Sequence, residues 1–205
     1  MITIIDYGMG NLKSVWKAFR KIGIESAITS NPAAVDNASA LVLPGVGAFR
    51  DCMNNLNDLS LTDAILRSIE KGKPYLGICL GLQILFGRSE EFGSSPGLGV
   101  FDGSVVRFPE NGLKIPHMGW NTVSLKKRPP VFGDINDKSY FYFVHSYYVA
   151  PEDPSIVAGT TDYGDDFTSM VWKDNVIATQ FHPEKSQQLG LKVLKGFIDF
   201  VKKEG

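Results

Sequence analysis

The stretch Lys73–Phe86 reads Lys-Pro-Tyr-Leu-Gly-Ile-Cys-Leu-Gly-Leu-Gln-Ile-Leu-Phe, and it decides the fold of this chain. Pro74–Ile78 is a short apolar run of strand length, and Leu80–Phe86 is an apolar run that suits a buried helix. Cys79 stands at the joint, two residues from a glycine on either side. This Gly-x-Cys-x-Gly spacing is typical of a nucleophile elbow, in which cysteine takes the place that serine has in many hydrolases.

The elbow predicts a reactive position for the Cys79 sulfur. Gly77 and Gly81 fit such a turn because a β-carbon there would clash with the neighbouring strand and helix. The sulfur would lie above the edge of the sheet and at the N-terminus of the helix, where free N–H groups favour the thiolate. The alternative is a structural cysteine, since free cysteines are usually buried and inert.

The composition excludes several classes of partner and predicts a cytoplasmic protein. The 205 residues carry a net charge of −1 and no basic block, so neither nucleic acid nor an anionic membrane is expected as a partner. No stretch approaches the ~20 apolar residues of a membrane span. The run Ile2–Ile5 meets Asp6 at once, which predicts a strand rather than a signal peptide. Cys52 and Cys79 make no disulfide framework, which is typical of a reducing cytosol.

Short apolar runs alternate with helical patterns in the first half of the chain. This alternation predicts a largely parallel sheet that is covered by helices on both faces. The predicted strands are Ile2–Ile5, Ser26–Ile28, Leu41–Leu43 and Pro74–Ile78, and the predicted helices are Asn11–Ile22, Leu61–Lys71 and Leu80–Phe86.

The second half reads as strands separated by Gly, Pro, Asn and Asp turns, which predicts more antiparallel pairing. The predicted strands there are Gly99–Phe108, Thr122–Leu125, Ser139–Tyr148, Ile156–Thr160, Thr168–Lys173 and Val176–Phe181, followed by a helix over Leu189–Val201. We therefore predict one α/β domain over residues 1–205. Its mixed, largely parallel central sheet is flanked by helices, and its second half is more antiparallel.

A cysteine nucleophile needs a base, and the chain has three histidines. His182 lies in Gln-Phe-His-Pro-Glu, at the end of an apolar run. In an extended segment residues i and i+2 project to the same side, and Pro183 keeps that segment extended, so Glu184 can orient the imidazole. His145 and His117 have no carboxylate beside them. The alternatives for His182 are a structural histidine and a zinc ligand together with the cysteine and the carboxylate, although the paired spacing of metal sites is missing.

A second glycine-rich turn follows the third predicted strand, in the segment Pro-Gly-Val-Gly-Ala-Phe. Such a turn can direct backbone N–H groups into a cleft. A phosphate loop would need Lys followed by Ser or Thr, and an Ala-Phe pair stands there instead. That leaves an ordinary turn or an oxyanion hole, in which one N–H comes from Leu80 and a second from the loop of Gly45, Val46 and Gly47.

Gln83 is a polar side chain in apolar surroundings. It lies four residues after Cys79 and therefore on the same side of the predicted helix. A buried amide needs a hydrogen-bond partner. Either a polar substrate above Cys79 or a neighbouring loop would supply that partner.

Several strings of the sequence resemble those of one enzyme family, the class I (triad) glutamine amidotransferases. The elbow Gly77–Gln83 and the run His182–Glu184 are specific to that class. Longer strings are similar to those of glutaminase subunits of imidazole glycerol phosphate synthases, and the similarity extends from Ile4 to the last helix. Those longer strings are Pro44–Phe49, Pro116–Asn121, Phe143–Tyr147 and Gln180–Ser186.

The resemblance implies the fold of that family and the hydrolysis of L-glutamine to glutamate and ammonia, with no cofactor and no metal. Cys79 would form a thioester with the glutamine side chain, His182 would carry protons, and Glu184 would hold the imidazole tautomer. The implied glutamine pocket contains Gln83, Glu91 and the backbone of Ser146 and Tyr147.

The resemblance covers the whole chain and leaves no residues for an ammonia acceptor, so it implies a separate synthase chain. That partner would be a (β/α)₈-barrel subunit that makes imidazole glycerol phosphate in histidine biosynthesis, in a heterodimer. Met118 and Trp120 are large apolar side chains in a short segment and predict the docking surface. For Trp120, packing in a hairpin core is the alternative. The predicted surface consists of His117, Met118, Trp120 and Asn121.

The glycine pair Gly45 and Gly47 predicts a switch. Two glycines allow the peptides of a loop more than one orientation at little steric cost. The second oxyanion N–H therefore need not face the substrate until the partner and its acceptor are bound.

Three other functions stay open on the sequence alone. One is a paralogous glutaminase that supplies ammonia to a sugar-amidinating synthase of surface polysaccharide pathways. Another is a redox sensor or chaperone of a related α/β fold, which would have no need of His-Pro-Glu. The third is a regulatory binder that holds a partner without turnover, which the intact triad disfavours.

Overall fold

The computed structural model describes residues 1–110 and 112–204, so residues 111 and 205 of the predicted domain lie outside the described part. The strands are β1 Ile2–Ile5, β2 Ser26–Thr29, β3 Ala40–Gly45, β4 Tyr75–Cys79, β5 Phe86–Ser89, β6 Ser95–Pro96, β7 Phe101–Arg107, β8 His117–Leu125, β9 Ser139–His145, β10 Tyr147–Pro151, β11 Val157–Asp162, β12 Asp166–Lys173 and β13 Val176–Thr179. The helices are α1 Leu12–Lys21, α2 Pro32–Asp36, α3 Phe49–Asp58, α4 Leu61–Glu70, α5 Leu80–Gln83 and α6 Gln187–Glu204. Short 3₁₀ turns cover Pro130–Phe132, Pro154–Ile156 and Pro183–Lys185.

One sheet runs through the molecule in the order β2–β1–β3–β4–β13–β12–β10–β7–β5–β6. The strands from β2 to β13 are parallel, whereas β13, β12, β10 and β7 pair antiparallel with one another. Further antiparallel strands, β11, β8 and β9, branch from β12. The predicted change from a parallel first half to an antiparallel second half is confirmed. Because β13 lies beside β4 and runs parallel to it, the residues that follow both strands meet at one edge of the sheet.

The core consists of two apolar layers, one on each face of the parallel strands. Alternate strand residues divide between the layers: Leu41 and Leu43 lie in one and Val42 in the other. The first layer contains buried side chains of α2, α3 and α4, and the second contains those of α1 and α6. The predicted cover of helices on both faces is therefore confirmed. Within the described ranges, no helix is long and apolar enough to span a membrane.

The predicted helix over Leu80–Phe86 is wrong in its extent, because α5 has only four residues and the strand β5 follows it. The carbonyl groups of Ile84 and Leu85 accept hydrogen bonds from the N–H groups of Leu98 (2.7 Å) and Phe101 (3.0 Å). A short apolar run fits a buried strand as well as a buried helix. Here these backbone contacts to a later segment decide between the two.

The helix α3, which follows β3, is not among the predicted helices. The buried side chains of α3 are Phe49, Cys52, Met53 and Leu56, which recur at helical spacing. The pattern was therefore present in the sequence, although Asn, Asp and Arg residues between these positions make it weak.

The predicted strand Ser139–Tyr148 is two strands, with a break at Ser146. β9 pairs with β8, whereas β10 pairs with β7 and β12. The chain therefore changes partners at Ser146. A run of apolar and aromatic residues does not reveal such a change, since both strands have strand-forming sequences.

Candidate active site

Cys79 occupies a strained strand-to-helix turn, as the glycine spacing predicts. It ends β4 and precedes α5 with a positive φ of 54°, which is costly for a residue with a side chain. A β-carbon at Gly81 would overlap the carbonyl oxygen of Leu43, and one at Gly77 would overlap that of Gly81. Close backbone packing at this position therefore requires both glycines. Because α5 is a single turn, the helix dipole expected from the longer predicted helix is small.

His182 and Glu184 meet directly after β13, at the same edge of the sheet as Cys79. His182 Nδ1 lies 2.9 Å from Glu184 Oε1, and the two side chains are 2% and 1% exposed. The expectation that this segment stays extended is wrong. His182 is extended, but Pro183–Lys185 forms a 3₁₀ turn. The contact survives because a tight turn also brings residues i and i+2 close together.

The Nε2 atom of His182 is buried and makes no conventional hydrogen bond to the described residues. The Cys79 sulfur interacts electrostatically with the His182 ring. Burial alone would lower the pKa of His182, but the Cys79 sulfur and the Glu184 carboxylate outweigh burial and raise it to about 10. This arrangement favours the charged imidazolium at His182.

A cavity of about 420 Å³ lies over the Cys79 sulfur. Its walls come from the elbow, the Gly-rich loop after β3, the loop of Glu91 and the break between β9 and β10. A cavity of this size accommodates a small polar molecule. The lining residues are Val46, Gly47, Cys79, Leu80, Gln83, Glu91, Pro116, Val144, His145, Ser146, Tyr147 and Lys185.

The predicted oxyanion loop lies beside the elbow. Gly45 is the register partner of Cys79 in the parallel pair β3 and β4. A β-carbon on Gly45 would come within 2.7 Å of the Leu80 β-carbon, so the loop and the residue after the nucleophile are in close contact. Gly47 has a positive φ of 96° and faces the cavity. The residues predicted to form an oxyanion hole are thus adjacent.

Glu91 and its neighbour Glu90 lie in different environments. Glu91 lines the cavity, and its Oε2 accepts a 2.7 Å hydrogen bond from the N–H group of Phe49 at the start of α3. Glu90 is exposed. Glu91, which the resemblance places in the glutamine pocket, is therefore the one of these two carboxylates that lines the cavity.

The side chain of Gln83 hydrogen-bonds to a neighbouring loop, which is one of the two predicted alternatives. Gln83 also lines the cavity. Its Nε2 donates to the carbonyl oxygen of Tyr147 (2.8 Å) and to Oε1 of Gln180 (3.1 Å). Gln180 is not among the predicted site residues. A signal was available, because Gln180 lies two residues before His182 and such positions project to one side of an extended segment.

The other two histidines form a buried pair, in which His145 lines the cavity. His117 Nδ1 lies 3.0 Å from His145 Nε2, His145 Nδ1 lies 2.9 Å from the carbonyl oxygen of Tyr147, and His117 Nε2 lies 3.2 Å from Asn121 Nδ2. Burial lowers the pKa of His117 to about 4 and that of His145 to about 3. Both rings therefore bind a proton only weakly, which makes them poor candidates for the proton carrier.

The predicted docking segment lies in β8, which begins at His117 rather than at Thr122. Met118 and Trp120 are 61% and 46% exposed, so they point to one outer face, as alternate strand residues do. His117 is 3% exposed and lies on the inner face. Asn121 points back to His117 and to the backbone of Asp162. An exposed apolar surface at β8 thus consists of Met118 and Trp120.

Cys52 is the other cysteine, and its environment differs from that of Cys79. It is fully buried in α3. Burial raises the pKa of Cys52 to about 12, although a hydrogen bond with Tyr7 acts in the opposite direction. Cys52 is therefore a protonated core residue.

Comparison with known proteins defines the class of this chain. The family Glutamine amidotransferase class-I matches residues 3–199. A crystal structure of a glutamine amidotransferase is similar with a TM-score of 0.77 and 17% identity, and the similarity covers 98% of this chain and 100% of that chain. PurLQS from Thermotoga maritima is similar with a TM-score of 0.75 and 18% identity over 97% of each chain. These structures show the fold, and the family match shows that the chain belongs to the class I glutamine amidotransferases.

Relatives with higher identity carry one name. The chain is 58% identical to the imidazole glycerol phosphate synthase subunit HisH of Syntrophotalea carbinolica, over 97% of this chain and 100% of the relative. It is 54% identical to the same subunit of Geobacter sulfurreducens, over 96% of this chain and 97% of the relative. The identity to that of Aquifex aeolicus is 53%, over 95% of this chain and 94% of the relative.

Proposed function

We infer that this chain is the glutaminase subunit of an imidazole glycerol phosphate synthase and acts in histidine biosynthesis. It hydrolyses L-glutamine to glutamate and ammonia and supplies the ammonia to a separate synthase subunit. The observation that carries the chemistry is the position of Cys79, on a strained elbow that lines a cavity. Its sulfur interacts electrostatically with His182, whose other ring nitrogen lies 2.9 Å from Glu184. The named relatives, which match over nearly their whole length, support the pathway.

In the proposed reaction the Cys79 thiolate attacks the side-chain carbonyl carbon of glutamine. The imidazolium of His182 then gives its proton to the departing nitrogen, so ammonia leaves and a thioester remains. The neutral imidazole next takes a proton from water, the hydroxide attacks the thioester, and glutamate and the thiolate are released. Glu184 holds the Nδ1 proton through both steps, which keeps Nε2 facing the reacting atoms.

The oxyanion of each tetrahedral intermediate needs N–H donors. We assign these to Leu80 and to the loop of Gly45, Val46 and Gly47, which lies against Leu80. The substrate's amino and carboxylate groups would be held by Gln83, Glu91 and the backbone at Ser146 and Tyr147. Their common position on the cavity wall supports this assignment.

The proposed partner is a (β/α)₈-barrel subunit in a heterodimer, and it would dock on Met118 and Trp120. Their exposure side by side on β8 supports this surface, because Trp is over-represented among interface hot spots. Residues 1–205 would act as one glutaminase domain with the acceptor site on the partner. Ammonia that was released into water would be protonated and lost as a nucleophile, so a docked partner is needed at the cavity.

Partner-dependent activation follows from the oxyanion loop. We expect slow glutamine hydrolysis by this chain alone and faster hydrolysis with the partner plus an analogue of its acceptor. A missing oxyanion donor lowers turnover by ~10²–10³. A rise of less than about tenfold across the series chain alone, chain with partner, and chain with partner and acceptor analogue would be too small for a gated donor.

The pathway assignment has its own test. The chain is mixed with the barrel subunit of an imidazole glycerol phosphate synthase, and glutamine-dependent formation of imidazole glycerol phosphate is measured. A matched mixture contains a sugar-amidinating synthase instead. We expect synthesis only in the first mixture, and synthesis only in the second would overturn the assignment.

A further inference from the structure

A polar side chain that the proposed mechanism does not use lies against the Cys79 sulfur. Gln180 is fully buried directly after β13, and its Nε2 is 3.4 Å from Cys79 Sγ. Its Oε1 accepts a 3.1 Å hydrogen bond from Nε2 of Gln83. Its backbone N–H donates to the carbonyl oxygen of Ser169 (2.8 Å). The amide group thus bridges the sulfur and a residue of the cavity wall.

The backbone carbonyl of Tyr147 determines which way the side-chain amides of Gln83 and Gln180 are turned. The carbonyl oxygen of Tyr147 can only accept hydrogen bonds, so the amide group of Gln83 must turn its NH₂ toward it. The same nitrogen carries a second hydrogen, which faces Gln180 and requires its oxygen there. The NH₂ group of Gln180 is therefore the side that faces the sulfur. No reversal of either amide satisfies all of these contacts.

We propose that Gln180 is a positioning residue that holds the Cys79 sulfur as a thiolate and keeps the amide group of Gln83 in one orientation. An N–H donor within reach of the sulfur favours its charged form over the neutral thiol. This donor matters at an elbow that has only a single helical turn behind it. The proposal rests on the role of Cys79 as the nucleophile.

The bridge also defines what Gln83 offers to a ligand. Both hydrogens of its NH₂ group are used, by Tyr147 and by Gln180. Its Oε1 has no hydrogen-bond donor in the described part of the chain and belongs to a residue of the cavity wall. Gln83 therefore presents an acceptor, and the ligand at this point must carry an N–H group.

The test measures how readily Cys79 is alkylated by iodoacetamide between pH 5 and 9, roughly the range in which protein thiols ionise. The folded protein is used without glutamine, and the Cys79 peptide is quantified by mass spectrometry. In Gln180→Met the apolar side chain keeps the volume but loses the donor. The midpoint of the alkylation profile should rise by about one pH unit, which corresponds to about tenfold slower alkylation below the midpoint.

Two further variants complete the design. Gln83→Met leaves Gln180 in place but removes the group that orients it, so we expect a smaller upward shift. Ser169→Ala is the matched control: it breaks the buried hydrogen bond to Thr161 (2.9 Å) without removing the carbonyl that Gln180 uses, and the profile should stay unchanged. Thermal melting shows which variants are folded.

The outcomes separate this proposal from the proposed function. Upward shifts in both glutamine variants, with none in the control, support it. It is overturned by an unchanged profile in folded Gln180→Met or, if that variant does not fold, by an unchanged profile in Gln83→Met. Because alkylation requires no glutamine, a chain that shows these shifts but hydrolyses no glutamine would contradict the proposed function alone.

Discussion

His182 and the His117–His145 pair are two histidine sites at one end of the sheet, and they are equally buried. His182 is 2% exposed, His117 is 3% exposed and His145 is 6% exposed. Burial removes water from all three and disfavours the charged ring. Nevertheless, the pKa of His182 is raised to about 10, whereas those of His117 and His145 are lowered to about 4 and about 3.

The difference lies in what faces each ring. His182 has the Glu184 carboxylate at one nitrogen and the Cys79 sulfur near the other. An amide, a backbone carbonyl and the second imidazole lie at the ring nitrogens of the His117–His145 pair, and the charge of His182 further disfavours a proton on His145. The comparison teaches that burial makes a histidine neutral unless charged partners outweigh it. In this protein the charged partners mark the ring that we propose as the proton carrier.

The largest expected effect is the fall in glutamine hydrolysis when His182 is removed. His182→Ala removes the proton carrier, which normally contributes ~10²–10⁴ in rate. Glutamine hydrolysis in the complex should fall by that factor, whereas ammonium-dependent synthesis by the partner should persist. His117→Gln is the matched control, since it changes a histidine of equal burial. Equal losses of glutamine hydrolysis in the two variants would contradict the different roles assigned to His182 and His117.

The next largest effect on glutamine hydrolysis comes from removing only the charge of Glu184. Glu184→Gln keeps a hydrogen-bonding side chain beside the ring but removes the charge that favours the imidazolium. Glutamine hydrolysis should fall less than in His182→Ala. The pKa of His182, followed by NMR, should also fall. If Glu184→Gln cost more activity than His182→Ala, another base would have to carry the proton.

The smallest effect concerns stability at acid pH. The folded state keeps His117 and His145 neutral, but the unfolded chain binds protons at both near pH 6.5, so their contribution is full above about pH 6.5 and is lost as the pH falls toward about 4. His117→Gln removes one of these groups. Between pH 7 and 5 the variant should lose less unfolding free energy than the parent chain, by of order 1 kcal/mol. Urea unfolding at both pH values measures this, and identical losses would mean that His117 is not neutral when folded.

What could be predicted from the sequence is what depends on near neighbours. The elbow at Cys79 follows from two glycines within two residues, and the contact of His182 with Glu184 follows from their separation of two. The hydrogen bond between Gln180 and Cys79 spans 101 residues and depends on β13 lying beside β4. The His117–His145 contact likewise depends on the register of β8 and β9, which places these two residues opposite each other. No local pattern encodes either pairing.

The extent of α5 shows the same limit. The run Leu80–Phe86 is apolar throughout and would suit a helix or a buried strand. The helix ends after one turn, where the carbonyl groups of Ile84 and Leu85 accept hydrogen bonds from Leu98 and Phe101. Consequently, the sequence predicts the elbow at Cys79 well, but it overstates the helix dipole behind it and misses the amide of Gln180.

The most direct test of the account is Cys79→Ala in the complex with the synthase partner, with two nitrogen sources compared. Glutamine-dependent synthesis should be abolished, whereas synthesis with an ammonium salt at high pH should stay at the parent level, because the partner's site is untouched. Cys52→Ala, which changes the protonated core cysteine, should retain both activities. Glutamine-dependent synthesis that survives in folded Cys79→Ala would contradict the central claim that this sulfur is the nucleophile.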